Sequence, residues 1–240
     1  MNKKSMAAAV ALGLGLSLAA PAMAVTYDFS SLVQANGGGN IGSQFTMDVT
    51  DGGSGSVLFK FWNTLGTASS ITDIYFDDSV AYSGSGANQT ADYTGAFFNS
   101  IAVSGDSGSG VAFSDGATPS DMPGGGAISF TSDFSGDSDA PASGNGLDAN
   151  GEWVSFLGTL QGTNTFEDIL TALASGDFRV GLHVQSIGTN GISQTYVNGA
   201  CVSSCPETGG GEGTVPLPGA AWLFGTALLG FMAKAGRRRV

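Results

Sequence analysis

The sequence predicts an all-β domain, an antiparallel β-sandwich or jelly roll with one short helix, bracketed by two apolar terminal segments. Three observations carry the fold class. Apolar residues in the body come in short runs that alternate with polar or small residues, the period-2 signature of half-buried strands. Turn clusters break these runs at close intervals, as in Asp51-Gly52-Gly53, Ser83-Gly84-Ser85-Gly86 and Pro123-Gly124-Gly125. Only one stretch has helical spacing. Many short strands with a single helix suit two packed antiparallel layers.

The elements follow in chain order. Lys3 and Lys4 precede an apolar stretch over 6–20, and Ala22-Met23-Ala24 is an A-x-A site. This predicts a secretory signal peptide over 1–24, cut by signal peptidase between Ala24 and Val25. An uncleaved anchor fits less well, because the apolar run is short and stops at Pro21. No cysteine stands at the end of that run, so lipoprotein processing is not indicated. Strands are predicted over 56–62, 71–76, 126–130, 153–160 and 178–185. The last is the clearest, with Phe178, Val180, Leu182 and Val184 on one face. The helix is predicted over 165–175. There Phe166, Ile169, Leu170 and Leu173 fall at i, i+3, i+4 and i+7, Glu167 and Asp168 lie in the first turn, and Gly176 is the stop. Residues 133–151 are predicted to be a long exposed loop. The β-rich domain spans 25–205, and 206–214 is a Gly-rich linker.

The tail over 215–240 begins with Val215-Pro216-Leu217-Pro218 and continues as an apolar run over 219–233. Lys234, Arg237, Arg238 and Arg239 follow it. Those 15 apolar residues make about 22 Å of helix at ~1.5 Å per residue, short of a bilayer core of ~30 Å. The expectation is a single transmembrane helix that holds weakly, with the cations as a cytoplasmic stop-transfer signal and Trp222 near an interface. An ordinary single-pass tail anchor is the alternative.

On these residues the tail resembles the PEP-CTERM sorting signal of Gram-negative bacteria, the tag recognised by exosortases. The matching residues are Val215-Pro216-Leu217-Pro218, Gly219-Ala220-Ala221, Trp222-Leu223-Phe224-Gly225, Leu228-Leu229-Gly230-Phe231 and Arg237-Arg238-Arg239. Leu217 stands where the name-giving glutamate would be. The resemblance implies transit into the inner membrane, a pause there, and cleavage near the motif by an exosortase. It further implies a destination at the cell surface or in an extracellular polysaccharide matrix, as in biofilm. A sortase signal needs Leu-Pro-x-Thr-Gly, and Leu217-Pro218 runs into Gly219-Ala220-Ala221 instead. A rhombosortase tag would place a Gly-Gly stretch directly on the helix, whereas Gly209-Gly210-Gly211 is set apart from it by the proline motif. The body also resembles domains found upstream of such tags, in the segment from Asn63 through Ser69-Ser70-Ile71-Thr72-Asp73-Ile74-Tyr75-Phe76-Asp77-Asp78 and in Gly181-Leu182-His183-Val184-Gln185-Ser186-Ile187. That likeness brings no catalytic residues with it.

Charge narrows the partners. Of eight Lys and Arg residues, the body between 25 and 214 holds only Lys60 and Arg179, against all 20 acids, a net of −18. Such a surface repels nucleic acid. Residues with chemistry are sparse. His183 is the one histidine. It sits mid-strand, on a face with Arg179, Gly181 and Gln185. A Ser-His-Asp triad remains open because serines and aspartates abound, but no Gly-x-Ser-x-Gly elbow occurs. One histidine does not furnish an ordinary zinc site. Asp77-Asp78 and Asp137-Ser138-Asp139 offer hard oxygen ligands for calcium. Asp148-Ala149-Asn150-Gly151-Glu152 resembles part of an EF-hand loop but fails its register, since position one would fall on Gly146. Solvated acidic turns are the default, and no cofactor is required. Cys201 and Cys205 are the only cysteines. In an oxidising exterior they are expected to close a small disulfide ring, with intermolecular cross-linking as the alternative.

The expected role is therefore that of an exported surface or matrix protein, structural or adhesive and not catalytic. A carbohydrate-binding module, with or without calcium, is the rival. It would stack sugars on aromatics such as Trp62, Tyr75, Trp153 and Tyr196, and an open row of them on one sheet face would favour it. A polysaccharide hydrolase is the third reading and requires a carboxylate pair in a cleft.

Overall fold

Alternation builds the strands. In β1 (Val25–Ser31) the buried residues are Val25, Tyr27 and Phe29, and in β2 (Phe45–Gly53) they are Phe45, Met47 and Val49. In β3 (Ser56–Asn63) they are Val57, Phe59 and Phe61. The set continues with β4 (Ser70–Asp77), β5 (Phe98–Asp106), β6 (Phe113–Asp115), β7 (Phe134–Ser138) and β8 (Trp153–Leu160). It ends with β9 (Arg179–Ile187) and β10 (Ile192–Ser203). This is a computed structural model that describes residues 24–32, 40–64, 66–78, 97–108 and 110–203. Ala22, Cys205, the linker, the sorting motif and the tail cations lie outside the described residues, as does the apolar stretch of the signal peptide. Among the described residues no helix is long and apolar enough to cross a membrane.

The ten strands form one sheet in the order β5-β8-β3-β2-β1-β10-β9-β4-β7-β6, with every pair antiparallel. All-β architecture is thus what the chain adopts. The sheet is folded over on itself. Phe76 of β4 packs on Phe59 and Phe61 of β3 and on Phe156 of β8, with ring centroids 5.4, 6.1 and 5.3 Å apart. In the sheet order β3 and β4 are five strands apart, so only a fold brings these rings together. Phenylalanine dominates the interior between the two halves, where burial of each ring contributes about 1.5–3 kcal/mol. The sheet's terminal strands also meet: Val103 of β5 donates its N–H to the Asp115 carboxylate of β6 at 2.6 Å. A side chain, not a ladder, occupies that edge amide, which blunts the edge against strand addition.

Glycine permits the close approach at one key point. A Cβ on Gly136 in β7 would lie 2.5 Å from Cζ of Phe156, so any larger residue there would push the two halves apart. Asn63 ends β3 with an inward polar side chain. Its amide donates to the carbonyl of Leu147 at 2.8 Å and accepts from Gln44 at 3.0 Å, so it is buried but satisfied.

The predicted helix is present as α2 (Phe166–Ser175), following a four-residue turn of helix, α1 (Ala142–Asn145). Thr165 and Asp168 form a capping box on α2, and Gly176 ends it at φ 83°. Ile169, Leu170 and Leu173 are buried, with Ala172. Two expectations need correction. Residues 126–130 are not a strand: Gly125–Ile128 is a 3-10 turn, flanked by left-handed Gly124 and Ser129. This segment crosses the outside of the sheet, where no ladder partner awaits it. Nor is 133–151 a bare exposed loop. It holds β7 and α1, and Leu147 is fully buried and bridged to Ile71. β1, β2, β5, β6, β7 and β10 are additional to the strands read from alternation.

Candidate functional site

Two outer faces of the folded sheet carry the residues of chemical interest. On β9, β4 and β7 the face turned away from the core is polar. Cross-strand register sets Asp73, Tyr75 and Asp77 beside His183, Gly181 and Arg179 on one side. On the other side Asp73 and Tyr75 lie beside Asp137 and Ser135. All eight residues of β4 are buried, because segment 117–133 covers this face. Gly181 makes the room: a Cβ there would fall 2.1 Å from Sδ of Met122. Met122 and Phe130 then pack on Tyr75 as a second, smaller apolar cluster. The cover is tied down by hydrogen bonds. Tyr75 donates to the Pro119 carbonyl at 3.0 Å, and Thr195 donates to the Pro123 carbonyl at 2.8 Å. Arg179 donates to the carbonyls of Ile128 and Ser129 at 2.8 Å each and pairs with the buried Asp77 carboxylate.

His183 Nδ1 lies 2.8 Å from Oδ2 of Asp73, and the Thr72 hydroxyl donates to the same oxygen at 2.7 Å. Oδ1 of Asp73 is buried without a hydrogen-bond partner. Burial, and then the charge of Asp73, hold the neighbouring Asp137 carboxyl above its usual range. Burial first, then Asp73, Asp137 and Asp121, push the Tyr75 phenol far up. The histidine and an aspartate are therefore brought together. Among the described residues no serine hydroxyl is hydrogen-bonded to the ring, so the third member of a triad is not assembled there.

The other acids take structural posts. Asp78 accepts from the N–H groups of Phe97 and Phe98 at 2.7 and 3.0 Å, and its own N–H donates to Asp133. Desolvation outweighs those two hydrogen bonds and pushes the Asp78 carboxyl up to about 6. Asp139 accepts from Ser114 at 2.8 Å. Glu152 closes its own turn by accepting from the N–H groups of Asp148 and Ala149 at 2.8 Å each, and Asp148 is raised by burial and then by Glu152. Among the described residues no three His, Cys, Asp or Glu side chains converge as a metal site requires. Cys201 lies in β10 opposite Tyr27 of β1.

The second outer face, on β2, β3 and β8, is partly exposed among the described residues. Leu58, Lys60 and Trp62 of β3 and Thr46, Asp48 and Thr50 of β2 are all partly exposed. Trp62 and Trp153 are direct cross-strand partners. Next to them Lys60 faces Ser155 on one side and Asp48 on the other. The Lys60 ammonium stands 3.8 Å from the Trp153 ring centroid and 5.0 Å from that of Trp62. Beyond it, Leu58 pairs with Leu157, which is 40% exposed. The four aromatics named from sequence thus separate. Tyr75 and Tyr196 are fully buried, with the Tyr196 hydroxyl on Gln194 at 2.6 Å, and are not available for stacking. Trp62 and Trp153 share the open face.

Comparison of the chain with protein-family models, with curated proteins and with solved structures finds no match.

Proposed function

We propose that this chain is an exported surface or matrix protein that works by adhesion, not by catalysis. Signal peptidase releases the N-terminal 24 residues. The C-terminal segment then pauses in the inner membrane until an exosortase removes it and the domain passes to the surface or the extracellular matrix.

The observation that supports adhesion is the contrast between the two outer faces. The titratable cluster of Asp73, His183 and Asp137 lies on the face crossed by the 117–133 cover, whereas both tryptophans of the domain lie on the open one. Tryptophan is costly to leave in water, because an exposed indole forfeits its burial energy. Two half-buried tryptophans, side by side on a face that no described segment is seen to cross, support a contact surface there. The same pair favours the second reading, a carbohydrate-binding module, since an open row of aromatics is what such a module requires. The export route rests on the terminal motifs.

Processing is tested by mass. In a strain that makes its exosortase, the surface form should start at Val25-Thr26-Tyr27 and lack residues 219–240. Without the exosortase the tail should remain. A tail present in both strains replaces this route with a plain tail anchor, and a start at Met1 removes the signal peptide.

A further inference from the structure

The geometry points to a particular ligand class for the open face: we infer that Trp62 and Trp153 form a stacking platform for an uncharged polysaccharide, with Lys60 as the group that excludes cations. The inference rests on the adhesive reading of this face.

Three features set the chemistry. First, the two indoles are cross-strand partners on a continuous antiparallel ladder. The sheet holds them in fixed register about 4.8 Å apart at the backbone, and rigid aromatic anchors lose little entropy on binding. The indoles are half-buried and Lys60 lies over them, so the C–H face of a pyranose reaches them by displacing that side chain. Second, the Lys60 ammonium already stands over both rings. A cationic ligand seeking the same π faces meets a like charge there. A sugar meets a donor, since hydroxyl oxygens accept from the ammonium. Third, a polyanion is opposed from outside. The body carries −18, and the one cation on this face has Asp48 directly across from it in β2. The net field repels a uronate chain, while a neutral polyol is indifferent to it. Around the rings the face supplies hydroxyl groups, from Thr46 beside Trp62 and from Thr50 beside Leu58. These match the hydroxyls that a stacked sugar leaves at its rim.

Arg179, the other cation of the body, takes no part. It is engaged by Asp77 and by two carbonyls on the covered face.

The test is a tryptophan-fluorescence titration of the exported protein with three soluble polymers: a neutral β-glucan, polygalacturonate and chitosan. The neutral glucan should give a saturable spectral shift, polygalacturonate should bind at least about tenfold more weakly, and chitosan, although drawn to the acidic body, should leave the tryptophan spectrum unshifted. Trp62→Ala and Trp153→Ala should each weaken glucan binding by about tenfold or more, in proteins that still unfold cooperatively from the same far-UV spectrum. Trp153→Phe keeps a ring and should retain part of the affinity. Lys60→Gln exchanges the ammonium donor for a neutral amide, so glucan binding should fall by about three- to tenfold while chitosan gains access to the rings. A larger tryptophan shift with either charged polymer in the unmodified protein overturns the inference. So does a glucan affinity that is indifferent to both tryptophans. Sedimentation supplies a further arm: dimerisation abolished by Trp62→Ala would make the face a self-association interface instead. If glucan does not bind while tail removal and surface delivery proceed, the inference falls and the export reading stands. If the tail is never removed, glucan binding by the purified protein is still decided.

Discussion

Replacing Gly136 with alanine tests how closely the two halves of the sheet approach. The new methyl would start 2.5 Å from Cζ and 2.6 Å from Cε1 of Phe156. That ring has little freedom to retreat. It meets Phe61 at 5.8 Å and Phe76 at 5.3 Å, both edge to face, and all three are fully buried. Overpacking of this kind costs about 1–3 kcal/mol. Stiffening the unfolded chain offsets about 0.4–1 kcal/mol of it. A net loss of about 1–2 kcal/mol is expected, which for a domain of this size lowers Tm by about 2–4 °C per kcal/mol. Equilibrium urea unfolding, followed by far-UV circular dichroism, measures it. The double variant Gly136→Ala/Phe156→Leu should lose less than the sum of the two single changes, because the smaller side chain frees the space. If Gly136→Ala is neutral or stabilising, or if the two changes are strictly additive, the halves do not meet where Phe156 faces β7.

Three further outcomes can be checked. The Asp78 carboxyl rises from 3.8 to about 6 on folding, so the folded domain holds that proton more tightly than the unfolded chain. Its contribution to stability is complete below pH ~4 and is lost as pH rises through about 6; Asp78→Asn should flatten this part of a urea-unfolding series run from pH 4 to 7. Arg179→Met leaves the Asp77 carboxylate buried without its cation and frees two carbonyls of the cover, so a loss of about 3–5 kcal/mol is expected. Adding Asp77→Asn should recover part of it, and no recovery would mean that the ion pair is not what holds the cover. For Cys201 and Cys205, mass spectrometry of unreduced peptides from the exported protein should find a single intramolecular bridge; two free thiols in material alkylated before lysis would refute it.

Local signals were enough for much of the fold. Period-2 alternation placed β3, β4, β8 and β9 within a residue or two, and helical spacing with Thr165, Asp168 and Gly176 at its ends placed α2. These features depend on neighbours in the chain, so the chain reveals them. β7 escaped notice because it is shaped by a distant partner: Gly136 must be small for the sake of Phe156, and this erases the apolar alternation. The 3-10 turn at Gly125–Ile128 escaped for the converse reason. Its apolar residues pack on the outside of a sheet whose register the sequence does not disclose.

Composition, the absence of most chemical motifs and the all-β character follow from the sequence by itself. The fate of each candidate site residue does not. His183 and Asp73 are 110 positions apart and meet only through the β4–β9 register. Tyr75 and Trp62 obey the same alternation, and both point away from the core. Yet Tyr75 is sealed beneath Met122 and Phe130, and Trp62 is left open beside Trp153. Alternation divides a strand into two faces, but it does not say which face another part of the chain will cover. That depends on where the sheet folds and where segment 117–133 crosses it, and those contacts exist only in the assembled tertiary structure.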